Sequence, residues 1–310
     1  MNINSGPEHN ASLGAAAHER RILLNVAFRM LGSSYDAEDV VQDTYVRWYS
    51  LSEAEQGEIR SPIAWLVRVA SRICLDRLAS ARVRRERYIG EWLPEPIPSW
   101  GWHSASSWSQ ADDPADMITL DESVTMGVLV VLESVTPAER VAFVLHDVFG
   151  FPFREIAETV GRTTEACRQL AASARRRIRI AQAPRGSIGQ HRSVMFAFKD
   201  ACESGDTDSL VKLLDPDAAV HADGGGKVRT ALRPVVGADK IARLFLGVMR
   251  KEPRMSFSVA DVNGRPGLVG RLDGVTFAVI APEVRDGFIS HLWLMMNPEK
   301  LHAWRERDSV

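Results

Sequence analysis

The chain has 310 residues, 45% of them hydrophobic, enough for two or three domains with packed cores. A formal charge of −2 excludes a uniformly basic nucleic-acid coat, and no run reaches the roughly 18–20 apolar residues of a membrane span. Cys74, Cys167 and Cys202 form neither a CxxC pair nor a disulfide framework, so a reducing cytoplasmic setting with no metal or cofactor is expected. The polar N-terminus predicts no signal peptide.

Charge is segregated along the chain. Residues 68–87 carry seven Arg against Asp76 and Glu86, and residues 162–179 carry six Arg against Glu165. Between these blocks, residues 91–122 hold seven carboxylates and no Lys or Arg. This alternation of basic, acidic and basic blocks says more than the net charge.

In chain order, His18 to Leu31 reads as an amphipathic helix, with Ile22, Leu23, Val26 and Met30 on one side and Gly32 ending it. A second helix, DAEDVVQDTYVRWYS, sets Val40, Val41, Thr44, Tyr45 and Trp48 on an apolar face. Asp39 and Asp43, four apart, share another face with Gln42 nearby; such a face either invites Arg side chains of a partner or is simply solvated. Ser61-Pro62 opens a third helix, SPIAWLVRVASRICLDRLASARVRR. Ile63, Leu66, Val69, Ile73, Leu75 and Leu78 are its expected buried positions, and Arg68, Arg72, Arg77 and Arg82 make it basic. Trp65 near its start either packs inside or stacks on an unpaired base.

Residues 89–122 read as a linker rich in Pro, Ser and Trp. Pro94, Pro96 and Pro98 favour extended backbone, whereas Trp92, Trp100, Trp102 and Trp108 are more than a plain spacer needs. Asp121 to Ser134 then reads as a helix, apolar at Val124, Val128, Val131 and Leu132. Thr136, Pro137 and Glu139 form a capping box for the next. His146 and Asp147 near its end lack a nucleophile motif, so a structural role is expected.

Residues 153–172 read as a helix-turn-helix. Gly161 supplies the turn, Thr163 or Thr164 caps the second helix, and Ile156, Val160, Cys167 and Leu170 fall at buried spacings. Thr164, Arg168 and Gln169 stand near the start of that helix, where base edges can be reached, and Arg175 and Arg176 near its end, where phosphates can be held. Arg162 follows the turn glycine where an apolar residue is common.

Pro184, Gly186 and Gly189 mark a boundary. Helices are predicted over 193–204, 208–214 and 238–250, and strands over 220–222, 254–262, 267–272, 275–280 and 288–296, with Asp273-Gly274 and Asp286-Gly287 as turns. Helices followed by an antiparallel sheet give an α+β domain. The loop Asp223-Gly224-Gly225-Gly226-Lys227 is no phosphate-binding P-loop: His221 stands where its first glycine belongs, and Val228 where Ser or Thr is required. His221, Asp223 and His291 are candidate acid–base groups if the domain is an enzyme.

The acidic-face helix, the SPIAWL helix and the helix-turn-helix, in this order and spacing, resemble an extracytoplasmic-function (ECF) RNA polymerase sigma factor. The resemblance covers most of residues 15–182. It implies a multidomain chain: an all-α region 2 over 15–88, an acidic linker over 89–122, and an all-α region 4 over 123–182. It further implies that Asp39, Gln42 and Asp43 dock on core RNA polymerase. Arg68, Arg72, Arg77 and Arg82 would hold the melted −10 strand of promoter DNA, and Thr164, Arg168, Gln169, Arg175 and Arg176 would read the −35 duplex. The linker of such factors lies in polymerase channels. Arg72, where many relatives carry Asn, and Leu170, where many carry a basic residue, put the promoter sequence in question, not the class.

Residues 190–301 resemble a SnoaL-like cone, a curved sheet over helices. WLPEP in the linker, DGGGK at 223–227 and NPEKL at 297–301 resemble the ECF subgroup that carries this extension. By that resemblance, Asp223, Gly224, Gly225, Gly226, Lys227, Asn297 and Pro298 are regulatory, the extension tunes sigma activity, and a small-molecule ligand of its pocket is expected rather than turnover. The alternative is a helix-turn-helix regulator fused to a SnoaL-like binding or enzymatic domain.

Overall fold

In a computed structural model, residues 7–85, 88–98, 125–181 and 187–309 are described. They form two compact units, one of residues 7–81 and 135–175, the other of residues 82–85, 88–98, 125–134, 176–181 and 187–309.

The first unit is helical. Helix α1 (Pro7–Leu31) buries every residue from Ile22 to Leu31, including Asn25 and Arg29. Arg29 is tolerated inside because Nη1 donates to the Asn25 side-chain oxygen at 2.6 Å and its guanidinium lies 5.7 Å from the Phe149 ring. Helix α2 (Ser34–Tyr49) starts at Ser33, whose hydroxyl accepts from the Asp36 N–H, and buries Ala37, Val40, Val41 and Thr44. The short α3 (Glu53–Glu58) begins in a capping box between Ser52 and Glu55; its charged sequence has no apolar period to announce it.

Helix α4 (Pro62–Arg85) buries Leu66, Val67, Ala70, Ile73, Cys74 and Leu78. The expected positions Ile63, Val69 and Leu75 are only half-buried. The deep stripe instead uses Ala70 and Cys74, small side chains that let neighbouring helices approach closely. Trp65 packs edge-on against Trp48, with ring centroids 5.3 Å apart.

Helix α5 (Met126–Glu133) belongs to the second unit. Helix α6 (Pro137–Phe143) returns to the first with the expected capping box and runs into a π-helical turn over Val144–Val148. Arg140 on α6 is buried and donates to Met30 O at 2.7 Å; burial pushes its pKa down to about 9. Helix α7 (Phe153–Val160) ends at Gly161, whose φ of +69° is the left-handed conformation that glycine adopts without a Cβ penalty. Thr163 is the cap of α8 (Thr164–Ala181), its hydroxyl accepting from the Ala166 N–H at 3.1 Å. Ile156 and Cys167 are fully buried as expected; Val160 and Leu170 are half-buried, and Ala171, Ala174 and Ile178 complete the inner stripe.

The second unit contains α9 (Ile188–Ser204), α10 (Thr207–Leu213), α11 (Ala238–Lys251) and a six-stranded sheet ordered β2-β1-β6-β5-β4-β3. Its strands are β1 (Leu214–Asp223), β2 (Val235–Val236), β3 (Met255–Val262), β4 (Arg265–Leu272), β5 (Val275–Arg285) and β6 (Phe288–Met295). The class is the expected α+β, but the sheet is mixed: β1 lies parallel to β6. A strand that precedes the helix crossover and rejoins the sheet's middle arrives parallel, which a list of successive hairpins does not reveal. Asn263-Gly264, Asp273-Gly274 and Asp286-Gly287 all have positive φ at both positions, the geometry of tight hairpin turns.

Strand alternation divides this sheet into two faces. One face packs Val220, Phe257, Leu268, Ile280 and Leu292 against α9, α10 and α11. The other sets Val262, Val269, Val279, Trp293 and Met295 against Leu93, Met126, Leu301 and Trp304. The linker, α5 and the end of the described chain (α12, His302–Arg305) therefore share one apolar surface.

Candidate nucleic-acid interface and linker seat

In the first unit, Gln42 and Asp43 are exposed and Asp39 half-exposed on α2. The sequence did not pair them with α4, yet Arg77 reaches both carboxylates, 3.4 Å from Asp39 and 2.9 Å from Asp43. Arg68 and Arg72 lie one turn apart on α4 and both hold Glu158 of the helix-turn-helix. Arg68 bonds its carboxylate at 3.0 Å, and Arg72 donates to its backbone oxygen at 2.7 Å. The side chain of Arg82 lies outside the described residues, as do Trp100, Trp102 and Trp108.

On α8, Arg168 and Gln169 are exposed, and Arg168 is steadied by Glu165 at 3.0 Å. Thr164 is half-buried at the helix start. Arg175 and Arg176 differ sharply. Arg176 is exposed, whereas Arg175 is half-buried and bonds the buried Asp147 carboxylate at 2.6 Å. His146 stacks on Phe153 and lies 3.0 Å from Phe151 O, so the His146-Asp147 pair is tied into helix packing.

In the second unit, the 223–227 loop, the 297–301 segment and the linker meet. Asp223 is fully buried. Its Oδ1 accepts from Tyr88 Oη at 2.6 Å and from the Gly225 N–H at 2.9 Å. Its Oδ2 accepts from the Leu93 N–H at 3.0 Å and from Lys300 Nζ at 2.7 Å. Lys300 also donates to Leu93 O at 2.6 Å, and its ammonium sits 4.1 Å from the Trp92 ring centroid. Asn297 donates to Tyr88 Oη at 2.9 Å and caps the turn over Pro298–Lys300. Lys227 bonds Glu299. Burial and the neighbouring Asp223 carboxylate push the Tyr88 phenol far up, so it stays a donor.

The rest of the linker is held by backbone. Ile97 N–H donates to Asn263 Oδ1 at 3.1 Å, Asn263 N–H to Ile97 O at 2.8 Å, and Trp304 Nε1 to Pro96 O at 2.8 Å. Pro98 bridges Val262 as an added edge contact. Sequence reasoning found Asp223, Asn297 and the WLPEP string but missed Tyr88, Asn263 and Trp304. Only the Asn263-Gly264 dipeptide carried a signal, and that signal was for a turn.

A glycine run at 224–226 is what this crossing demands. A Cβ on Gly224 would sit 2.3 Å from Val228 O, and one on Gly225, at φ +63°, would sit 2.4 Å from the Asn297 amide. Gly226 faces Ile89 of the linker.

The helix side of the sheet encloses a cavity of about 440 Å³. Val220 and Ala222 line it, so the alternate residues His221 and Asp223 project to the opposite face. There His221 Nδ1 lies 3.1 Å from both Glu91 carboxylate oxygens and its ring stacks on His291. The three candidate acid–base groups therefore belong to the linker side. Among the described residues, the cavity lining contains no Asp, Glu, His or Tyr.

The Sigma-70 region 2 and Sigma-70 region 4 family models match residues 16–84 and 126–178. The chain is 39% identical over 293 residues to the ECF RNA polymerase sigma factor SigJ of Mycobacterium tuberculosis, covering 91% of this chain and 90% of that protein. The chain belongs to the ECF sigma factors. It is also 37% identical to the probable ECF sigma factor SigI of the same species, over 96% of this chain and 97% of that one. The crystal structure of SigJ superposes with a TM-score of 0.71 at 35% identity, covering 94% of this chain and 98% of SigJ, so the C-terminal sheet domain is shared. This ECF sigma factor directs promoter-specific transcription initiation by RNA polymerase. Among the described residues, none of its helices is long and apolar enough to cross a membrane.

Proposed function

We propose that this ECF sigma factor, acting in the cytoplasm, is regulated by its own C-terminal domain, which captures the linker. The chain divides functionally into region 2 at 15–88, linker at 89–122, region 4 at 123–182 and regulatory domain at 190–301. Asp39, Gln42 and Asp43 dock on core polymerase, with Arg77 aligning the two carboxylates. Arg68, Arg72 and Arg82 hold the melted −10 strand. Arg168 and Gln169, with Thr164 beside them, read the −35 duplex, and Arg176 holds phosphate.

The observation that carries the regulatory reading is the burial of Asp223 under Tyr88 and Leu93. Four donors converge on one carboxylate, one from the linker (the Leu93 N–H) and one from Tyr88, the residue that leads into it. A segment bonded this way cannot at the same time lie in a polymerase channel, so the bound linker restrains initiation. The domain is a regulator without turnover: its acid–base candidates His221, Asp223 and His291 face the linker, and among the described residues its cavity is lined without Asp, Glu, His or Tyr. Run-off transcription with core polymerase tests this. Full-length Tyr88→Ala or Lys300→Ala protein is expected to give severalfold more transcript than the parent. Equal output from both variants would remove the regulatory claim while leaving the sigma function intact.

A further inference from the structure

We infer that the cavity on the helix side of the sheet binds an amphipathic carboxylate, with an apolar tail inside and an anionic head at Arg229 and Lys251. Its volume of about 440 Å³ lies within the roughly 300–1,000 Å³ of small-molecule sites. The wall is apolar, with Phe245, Phe257, Phe277 and Leu294 prominent. Two charges reach it, both positive: Arg229 and Lys251 line the cavity while remaining solvent-exposed. Neither makes a salt bridge among the described residues, although exposed cations elsewhere in the domain, such as Lys227 and Arg254, have carboxylate partners.

The ligand class follows from desolvation. A cation buried in such a wall would need a partner, but one at the rim keeps its water until an anion arrives. A neutral apolar molecule would gain the wall alone, whereas a carboxylate gains the wall and a charge-assisted contact. An ammonium head would be repelled. Among the described residues the lining holds no Asp, Glu, His or Tyr, and Lys251 stands at the solvent-exposed rim, so the site is assigned to binding and not conversion.

The site also touches the linker's restraint, and this part rests on the proposed regulation. Arg229 and Thr230 form the cavity rim at one end of the loop whose other end, Gly224 to Lys227, contacts the linker and the 297–299 turn. Thr230 packs where a Gly224 Cβ would be, within 3.0 Å, so a shift of Thr230 presses directly on the residue next to Asp223. A ligand that reorganises the rim thereby changes the hold on Tyr88 and Leu93.

Isothermal titration calorimetry on the full chain with decanoate, decanol and decylamine, each below its micelle concentration, tests the site. Decanoate should bind about tenfold tighter than decanol, with decylamine weakest. The exposed double substitution Arg229→Gln with Lys251→Gln should bring decanoate to the level of decanol while leaving decanol unchanged. Equal binding of all three probes, no binding, or an unchanged preference in the double variant would overturn the assignment. Hydrogen exchange of the Leu93 amide, measured with and without decanoate, reads the coupling separately. Binding without a change in that amide would leave the site and remove its link to the linker. Neither measurement depends on polymerase, so failure here is distinct from failure of the transcription test.

Discussion

Tyr88 and Asp223 lie 135 positions apart, and the phenol donates to the carboxylate at 2.6 Å. The carboxylate is fully buried, and its Oδ2 is shared between the Leu93 N–H and Lys300. Asp223→Asn keeps the shape but removes that counter-charge from the largely buried Lys300 ammonium, a loss of about 3–5 kcal/mol. Tyr88→Phe removes the charge-assisted hydrogen bond to Asp223, worth about 1.5–3 kcal/mol, and the neutral one from Asn297, worth about 1 kcal/mol. Urea unfolding should rank the two in that order. An Asp223→Asn protein as stable as the parent would mean the carboxylate is not what holds the linker.

The three loop glycines should not be equivalent. Gly225→Ala adds a Cβ 2.4 Å from the Asn297 amide, at a φ of +63°, and Asn297 is pinned by its bonds to Tyr88 and Glu299. Gly226→Ala meets Ile89 at 3.0 Å (Cδ1) and 3.1 Å (Cβ), a milder approach that a shift of a few tenths of an ångström relieves. Both carry the cost of about 1 kcal/mol for a left-handed Cβ, but only the first dislodges the linker. Limited proteolysis after residue 88 should accelerate strongly in Gly225→Ala and little in Gly226→Ala; equal rates would count against this account.

Arg175 and Arg176 are adjacent in sequence and opposite in environment. Arg175→Ala leaves Asp147 buried without that partner and should lower stability by about 3 kcal/mol. Arg176→Ala should leave thermal stability unchanged, weaken all promoter duplexes alike, and reduce the slope of log affinity against log salt by about 1. The reverse assignment, with Arg175 governing the salt slope and Arg176 the melting temperature, would show that α8 presents its other face to DNA.

How far the sequence reached depends on the kind of interaction. Gly161, the Thr136 capping box and the Asp273-Gly274 turn were legible because each is settled within four residues. The stripe of α4 was displaced to Ala70 and Cys74 because small residues carry little periodic signal, although close packing favours them. Tyr88, Asn263 and Trp304 were invisible because their partners lie between 130 and 210 positions away, at separations such as 135, 166 and 208. Asp223 could be singled out by its glycine neighbours, but whether it faced the cavity or the linker turned on the register of β1. The parallel pairing of His221 with Trp293 decides that, and one residue of slip would reverse it.

Glu158 occupies Arg68 and Arg72, two arginines of α4 proposed to hold the melted strand. Its carboxylate holds Arg68 at 3.0 Å in a half-exposed pair, an interaction worth about 0.5 kcal/mol. If Arg68 and Arg72 bind the melted strand, Glu158→Gln should raise affinity for a single-stranded promoter oligonucleotide about twofold at low salt, by fluorescence anisotropy. Arg72→Ala should lower it. A fall in affinity in Glu158→Gln would instead make the pair a support of the binding surface.

Acid should loosen the second unit through His291. Its pKa is lowered, first by burial and then by His221 and Arg285, with Asp215 opposing. His221 in turn faces Glu91, and Trp293 stacks on the other side of His291. Because the folded state holds its proton less tightly than the unfolded chain, the unfolded state binds more protons below the ordinary histidine pKa of about 6.5. The stability this group contributes is therefore complete above about pH 6.5 and declines as pH falls through the lowered folded value. Urea midpoints measured between about pH 7.5 and 5 should drop for the parent, and the drop should be shallower in His291→Gln, which cannot take up the proton. A parallel decline in both proteins would assign the acid sensitivity to other groups, with the Glu91 carboxylate beside His221 the first to examine by Glu91→Gln.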